Sequence, residues 1–140
     1  MDEIDAMLEG LVADTGASRA TLREDVPGDV FPITHEALAD GTAPIRGVAT
    51  PDMARQPVVL EVQQGRQVVQ DDTLAASDEP HFREMLELYG GLRAQIVTPI
   101  VRDGRVVAIL SLHQLGRTRA WTGDEVATAT SAAERIGALL

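Results

Sequence analysis

Residues 95–140 read QIVTPIVRDGRVVAILSLHQLGRTRAWTGDEVATATSAAERIGALL, and this stretch decides the fold. An apolar run from Ile96 to Val101 meets a second from Val106 to Leu112 across Arg102-Asp103-Gly104-Arg105. Asp-Gly between two β-rich runs is a strong hairpin signal, because both turn positions need positive φ. The second run ends in Ser111-Leu112-His113-Gln114, polar where a purely structural strand would stay apolar. Thr122-Gly123-Asp124-Glu125 then opens a helix, with Thr at the N-cap and Glu three residues on, the pattern of a capping box. A buried hairpin with a polar tip, followed by a long helix, suggests a sheet that holds a small ligand.

Working back from that hairpin, the rest of the chain alternates helices and short strands. Ile4, Met7, Leu8, Leu11 and Val12 form one apolar helical stripe, which Gly16 ends. Ala17 to Arg23 alternates apolar and polar, as does Val30 to Leu38. With the turn at 24–29 they make a hairpin, and Pro32 assigns its second strand to an edge. Residues 39–52, rich in Gly, Pro and Thr, form a long irregular loop of the kind that often carries function. Met53 to Gln64 reads as a short helix, with a strand left open by its valines. Gln67 to Gln70 is a short strand ending in Asp71-Asp72, and 73–80 a polar loop. Phe82, Met85, Leu86 and Tyr89 stand at helical spacing before Gly90-Gly91. The expected class is α+β, residues 1–140 forming one domain. Its core is an antiparallel sheet of five or six strands, with the terminal helices on one face and the middle helices and loops on the other.

Composition narrows the chemistry. There are 140 residues, a formal net charge of −10, no cysteine and no lysine, all twelve basic residues being arginine. Disulfides, thiolate nucleophiles, cysteine-ligated zinc, thioether-linked chromophores and Schiff-base lysines are therefore excluded. No basic cluster supports nucleic-acid binding, and no apolar run approaches a membrane span. The acidic start is not a secretory signal, so a cytoplasmic protein is expected. No metal spacing is present, and no nucleophile–base–orienter set can be assembled.

The segment GRQVVQDD, the short helix ending in glycine, IVTPIVRDGRVVAILSLHQ and the R-x-R-x-W-T-x-x-E helix start together resemble a GAF domain. The resemblance covers nearly the whole chain, with Ala108 where the family commonly has glycine. It implies a PAS-like sheet with a pocket under the middle helices and loops, and terminal helices that often form a dimer bundle. It does not name a ligand, since these domains bind cyclic nucleotides, tetrapyrroles, amino acids, anions or nothing.

Strand parity then proposes site residues. His113 shares a face with Ser111, Ile109 and Val107, while Leu112, Leu110, Ala108 and Val106 face the terminal helices. In bilin-binding GAF domains, a histidine in a similar strand context contacts the chromophore. Gln95 opens the buried hairpin with an amide that needs a partner. His35 shares a strand face with Phe31 and Ile33, and Arg46 offers a bidentate clamp for an anion. Asp71 offers an acceptor, and Met53, Phe82, Met85 and Tyr89 an apolar wall. No catalytic residue, metal or cofactor is expected, although an unidentified non-covalent small ligand is compatible.

The leading reading is a small-molecule sensor that signals through its terminal helices or to a separate partner. The alternatives are a ligand-free homodimerisation module and a small enzyme using His35 or His113 as general acid/base. No kinase or cyclase lies within the chain, so the output belongs to a separate partner or to a larger regulator.

Overall fold

The computed structural model describes residues 2–140. The first helix, α1 (Glu3–Thr15), begins where the Asp2 carboxylate accepts from the Ile4 and Asp5 amides. It ends at Gly16, whose φ of 69° suits a residue without Cβ. Strands β1 (Arg19–Glu24) and β2 (Ile33–Leu38) follow as a hairpin. The irregular segment after β2 carries a single 3-10 turn at Met53–Arg55 and leads into α2 (Pro57–Gln63). Strand β3 (Val68–Gln70), the one-turn α3 (Thr73–Ala76) and α4 (Pro80–Leu88) come next. Long strands β4 (Leu92–Arg102) and β5 (Arg105–Leu115) and the last helix, α5 (Gly123–Gly137), complete the chain. The segment 73–80, expected as a loop, contains α3, because the Asp72 carboxylate caps it by accepting from the Leu74 amide.

The five strands form one antiparallel sheet in the order β2-β1-β5-β4-β3. Its centre is the β4–β5 hairpin, closed by Asp103 (φ 53°) and Gly104 (φ 75°) as the Asp-Gly pair requires. On one face Ala20, Leu22, Ile96, Leu110 and Leu112 pack under α1 and α5, with Leu8 and Ile136 completing that core. On the other, Val97 and Ile109 pack with Val58 and Val62 of α2 and Phe82, Met85 and Leu86 of α4. No helix among the described residues is long and apolar enough to cross a membrane.

Besides a register shift at Arg93 near the start of β4, two bulges change which face a side chain takes. On β2, His35 opposes Leu22 and Ile33 opposes Arg23, so Thr34 is the extra residue. Ile33 stays on the pocket side while His35 turns toward α1. On β5, Ala108 opposes Ile100 and Val106 opposes Val101, so Val107 is the extra residue. Val106 therefore joins the pocket-side cluster and Val107 the terminal-helix cluster, the reverse of simple alternation.

The last helix starts on a complete capping box: the Thr122 hydroxyl accepts from the Glu125 amide, and the Glu125 carboxylate from the Thr122 amide. Thr122→Ala is expected to remove about 1 kcal/mol of stability. A lowered denaturant midpoint at unchanged slope checks it.

Candidate functional site

The pocket face of the sheet is a polar row on three adjacent strands. On β1, Arg19, Thr21 and Arg23 pair with His113, Ser111 and Ile109 of β5. On β4, Gln95 pairs with the same His113, and Val97 with Ser111. Alternation sends all of these side chains to one face, opposite Ala20, Leu22 and Leu112. Helices α2 and α4 and the 39–56 segment roof this row and leave a cavity of about 40 Å³. Its walls are Arg23, Met53, Gln56, Val58, Val59, Val62, Met85, Tyr89, Gln95, Val97, Ile109, Ser111 and His113.

Arg19 holds the row together. It is 1 % exposed, one of the largest fully buried side chains. One terminal nitrogen donates to the Tyr89 carbonyl at 3.1 Å and to His113 Nδ1 at 3.1 Å. The other donates to the Ala43 carbonyl at 2.9 Å, tying the long loop to the sheet. Nε lies 3.9 Å from the buried Glu36 carboxylate, which itself accepts from the Ile45 amide. Burial lowers the Arg19 pKa, and the charge of Glu36 opposes that shift.

A guanidinium has only donors, so His113 Nδ1 must accept from it. The ring is 4 % exposed, and burial, then Arg19 and Arg23, push its pKa well below the ordinary 6.5. His113 is therefore the neutral tautomer protonated at Nε2. The Tyr89 ring stacks on it at 5.9 Å between centroids. The Tyr89 hydroxyl takes a hydrogen bond from Arg23 at 2.7 Å and pairs with the Thr50 hydroxyl in the long loop. Arg23 also donates to the Phe31 carbonyl at 2.9 Å. Phe31 has a φ of 46°, unusual for a side chain of that size.

The structure brings Gln95, Ser111, His113, Met53, Met85 and Tyr89 together around the cavity. Phe31 and Phe82 lie in the apolar cluster behind its walls. Three expectations are corrected. His35 is on the opposite face, because the Thr34 bulge turns it to the Asp2 carboxylate, 3.3 Å away, at the start of α1. There His35, Asp2 and Asp5 present ligand atoms within 4.8 Å of one another, a grouping with no linear spacing to reveal it. Arg46 is exposed in a separate cleft. Asp71 instead accepts from the Trp121 amide and anchors the approach to α5. Arg23 and Gln56, which line the cavity, and Arg19, Thr21 and Glu36, which stand beside it, are residues that sequence reading passed over.

A family model described as "GAF domain" matches residues 2–140. The chain belongs to the GAF domain family. Solved structures with this fold include the blue-light-absorbing form of the PixJ GAF domain of Thermosynechococcus elongatus. It is 22 % identical with a TM-score of 0.79, covering 98 % of this chain and 84 % of that one. The photoproduct state of the third GAF domain of Slr1393 from Synechocystis is 17 % identical with a TM-score of 0.78, covering 97 % and 89 %. A third is the far-red-absorbing dark state of JSC1_58120g3 with bound biliverdin IXa. It is 18 % identical with a TM-score of 0.79, covering 94 % and 83 %. At these identities the likeness is one of fold. A search of the curated proteins finds no match. The expectation of no cofactor is overturned by this comparison, since JSC1_58120g3 holds biliverdin IXa in the same fold.

Removing the Arg19 charge leaves Glu36 buried without its cation and takes donors from two carbonyls and a ring nitrogen. Arg19→Met is expected to cost about 3–5 kcal/mol, seen in equilibrium unfolding. A second prediction follows from His113. Its folded pKa lies below the unfolded 6.5, so the unfolded chain binds more protons on the acid side. Stability is full above pH 6.5 and falls as pH drops through that value toward the folded pKa. The slope from this group is at most about 1.4 kcal/mol per pH unit. His113→Asn keeps an acceptor for Arg19 and flattens that part of the profile. Unfolding curves across the acid range measure it.

Proposed function

We propose that this chain is a small-molecule-sensing GAF domain whose ligand lies between the sheet and the α2, α4 and 39–56 roof. The observation that carries the reading is the cavity itself. Its floor is a strand row of Gln95, Ser111 and His113, and its roof combines the valines of α2 and Met85 of α4 with Met53 and Gln56 of the irregular segment, Arg23 and Tyr89 standing at its side. Few well-placed polar groups within an apolar shell is the usual make-up of a ligand site.

The cavity is small as it stands. Its volume of about 40 Å³ falls far below the several hundred that drug-sized ligands occupy. The walls do not admit a tetrapyrrole in this conformation. Anything larger than a few waters enters only when the roof opens. Among the elements over the cavity, the 39–56 segment is the one without a regular helix or strand. It is irregular apart from one 3-10 turn, and it is tied down through Ala43, Thr50 and Gln56. Signal would leave through the sheet. Strand residues adjacent to the polar row, Ala20 and Leu112, pack against α1 and α5.

Homodimerisation through α1 and α5 is the second reading. A groove between them is lined by Ala6, Gly10, Ala127 and Ser131, small enough for close approach of another helix. Such a dimer would receive the signal directly, within the cytoplasm. Sedimentation as a monomer at high concentration contradicts this part.

Biliverdin, cyclic nucleotides, amino acids and small carboxylates should be tested for raising the melting temperature, and at least one should do so. Ser111→Val fills the cavity floor and should abolish that stabilisation while the protein still folds. A native chain that no compound stabilises contradicts the reading, as does a valine variant that binds equally well.

A further inference from the structure

Three of the four buried side-chain polar atoms without a hydrogen-bond partner among the described residues belong to this site: Arg19 Nε, Thr21 Oγ1 and Gln56 Oε1. Thr21 is 1 % exposed and Gln56 2 %. A buried polar atom with no partner is costly and uncommon. Gln56 lines the cavity itself, and Arg19 and Thr21 stand in the strand row beside it, so Gln56 Oε1 marks a place where a donor is supplied from outside. His113 adds a donor on the cavity wall. Nδ1 is occupied by Arg19, so the Nε2–H donor has no partner among the described residues.

The charges are also unbalanced. Arg19 is answered by Glu36. Arg23 is half-buried, and among the described residues no carboxylate lies within ion-pair distance of it. Among the described residues its hydrogen bonds go to a carbonyl and to the Tyr89 hydroxyl, both neutral. No Asp or Glu lines the cavity among the described residues. Arg23 and Met53 belong both to the closed cavity and to a wider cleft of about 580 Å³ under residues 45–50. The two spaces are therefore neighbours divided by these side chains and by the Tyr89–Thr50 contact.

Resting on the sensor reading above, we propose that the ligand is a small monocarboxylate carrying an O–H or N–H donor, its carboxylate received by Arg23. Entry is from the cleft, with Met53 and Thr50 displaced. The carboxylate supplies the anion that Arg23 lacks, with Ser111 and His113 Nε2–H as neutral donors on the same wall. The ligand's own donor meets Gln56 Oε1, and its apolar body packs on Val59, Val62 and Ile109. A phosphate dianion is disfavoured, because Arg23 is the cavity's one cation among the described residues and the imidazole beside it is uncharged. A carboxylate on a guanidinium is a bidentate, charge-assisted pair, which a neutral amide cannot reproduce.

The experiment is calorimetric titration of the full chain with acetate, lactate, benzoate and mandelate, each against its matching amide, and with biliverdin. At least one acid should bind, its amide about tenfold or more weaker. Arg23→Gln should lose a similar factor for that acid, and Arg23→Lys should recover part of it. Amides that match their acids, or an Arg23→Gln variant that binds the acid undiminished, would overturn the carboxylate assignment and leave the sensor reading standing. Binding of biliverdin alone would do the same. No binding by any compound would overturn both. Should Arg23→Gln fail to fold, the acid–amide comparison on the native chain decides.

Discussion

The buried guanidinium of Arg19 sets the terms for the whole pocket face of the sheet. Its charge is out of water, so every nearby acceptor is drawn to it: two backbone carbonyls, one imidazole nitrogen and the Glu36 carboxylate. Those acceptors come from the C-terminus of α4, the long loop, β5 and β2. One side chain thus fixes the end of a helix, the path of an irregular segment and the tautomer of His113. Replacing such an ion by an apolar residue alone breaks the arrangement, because the partner charge stays behind. The roof over the cavity is positioned by polar contacts to this row as much as by the apolar packing of α2 and α4.

The same sheet couples two environments across a single layer. Residues of β1 alternate between the Arg19–Thr21–Arg23 row and the Ala20–Leu22 row beneath α1. Arg23 and His113 on the pocket side thus share their strand backbones with residues of the terminal-helix core. Close packing leaves little slack to absorb a shift in those strands. This is the physical basis for reading α1 and α5 as the output surface.

Much of the architecture was legible in the sequence, and the reasons are local. Asp103-Gly104 can hardly be anything but the hairpin turn, and Thr122 with Glu125 marks the start of α5 to the residue. Gln95, Ser111 and His113 emerge from the alternation of two long strands, which the β4–β5 register keeps in phase over that span. Where alternation fails, a bulge is the cause. Thr34 sends His35 to the wrong face, and Val107 exchanges the faces of its neighbours. A bulge depends on how two strands meet, which neither strand's own pattern records. Arg19 and Arg23 were missed for a different reason. The polar set of an alternating strand is ordinarily taken as solvent-facing, and only the neighbouring strand's Ser111 and His113 show that this polar face is roofed. Asp71 and Arg46 illustrate the limit of residue-type reasoning, since a loop carboxylate and a loop arginine serve equally well as an anchor or as open surface.

The pocket face thus depends on Arg19 holding His113 neutral, with its proton on Nε2. Long-range nitrogen–proton correlation NMR on the imidazole reads both points at once, across the range where an ordinary histidine titrates. The result expected is a neutral ring with the proton on Nε2 throughout, lost only as the protein unfolds in acid. A ring that titrates near 6.5, or one protonated at Nδ1, would show that Arg19 does not hold it and would contradict the account.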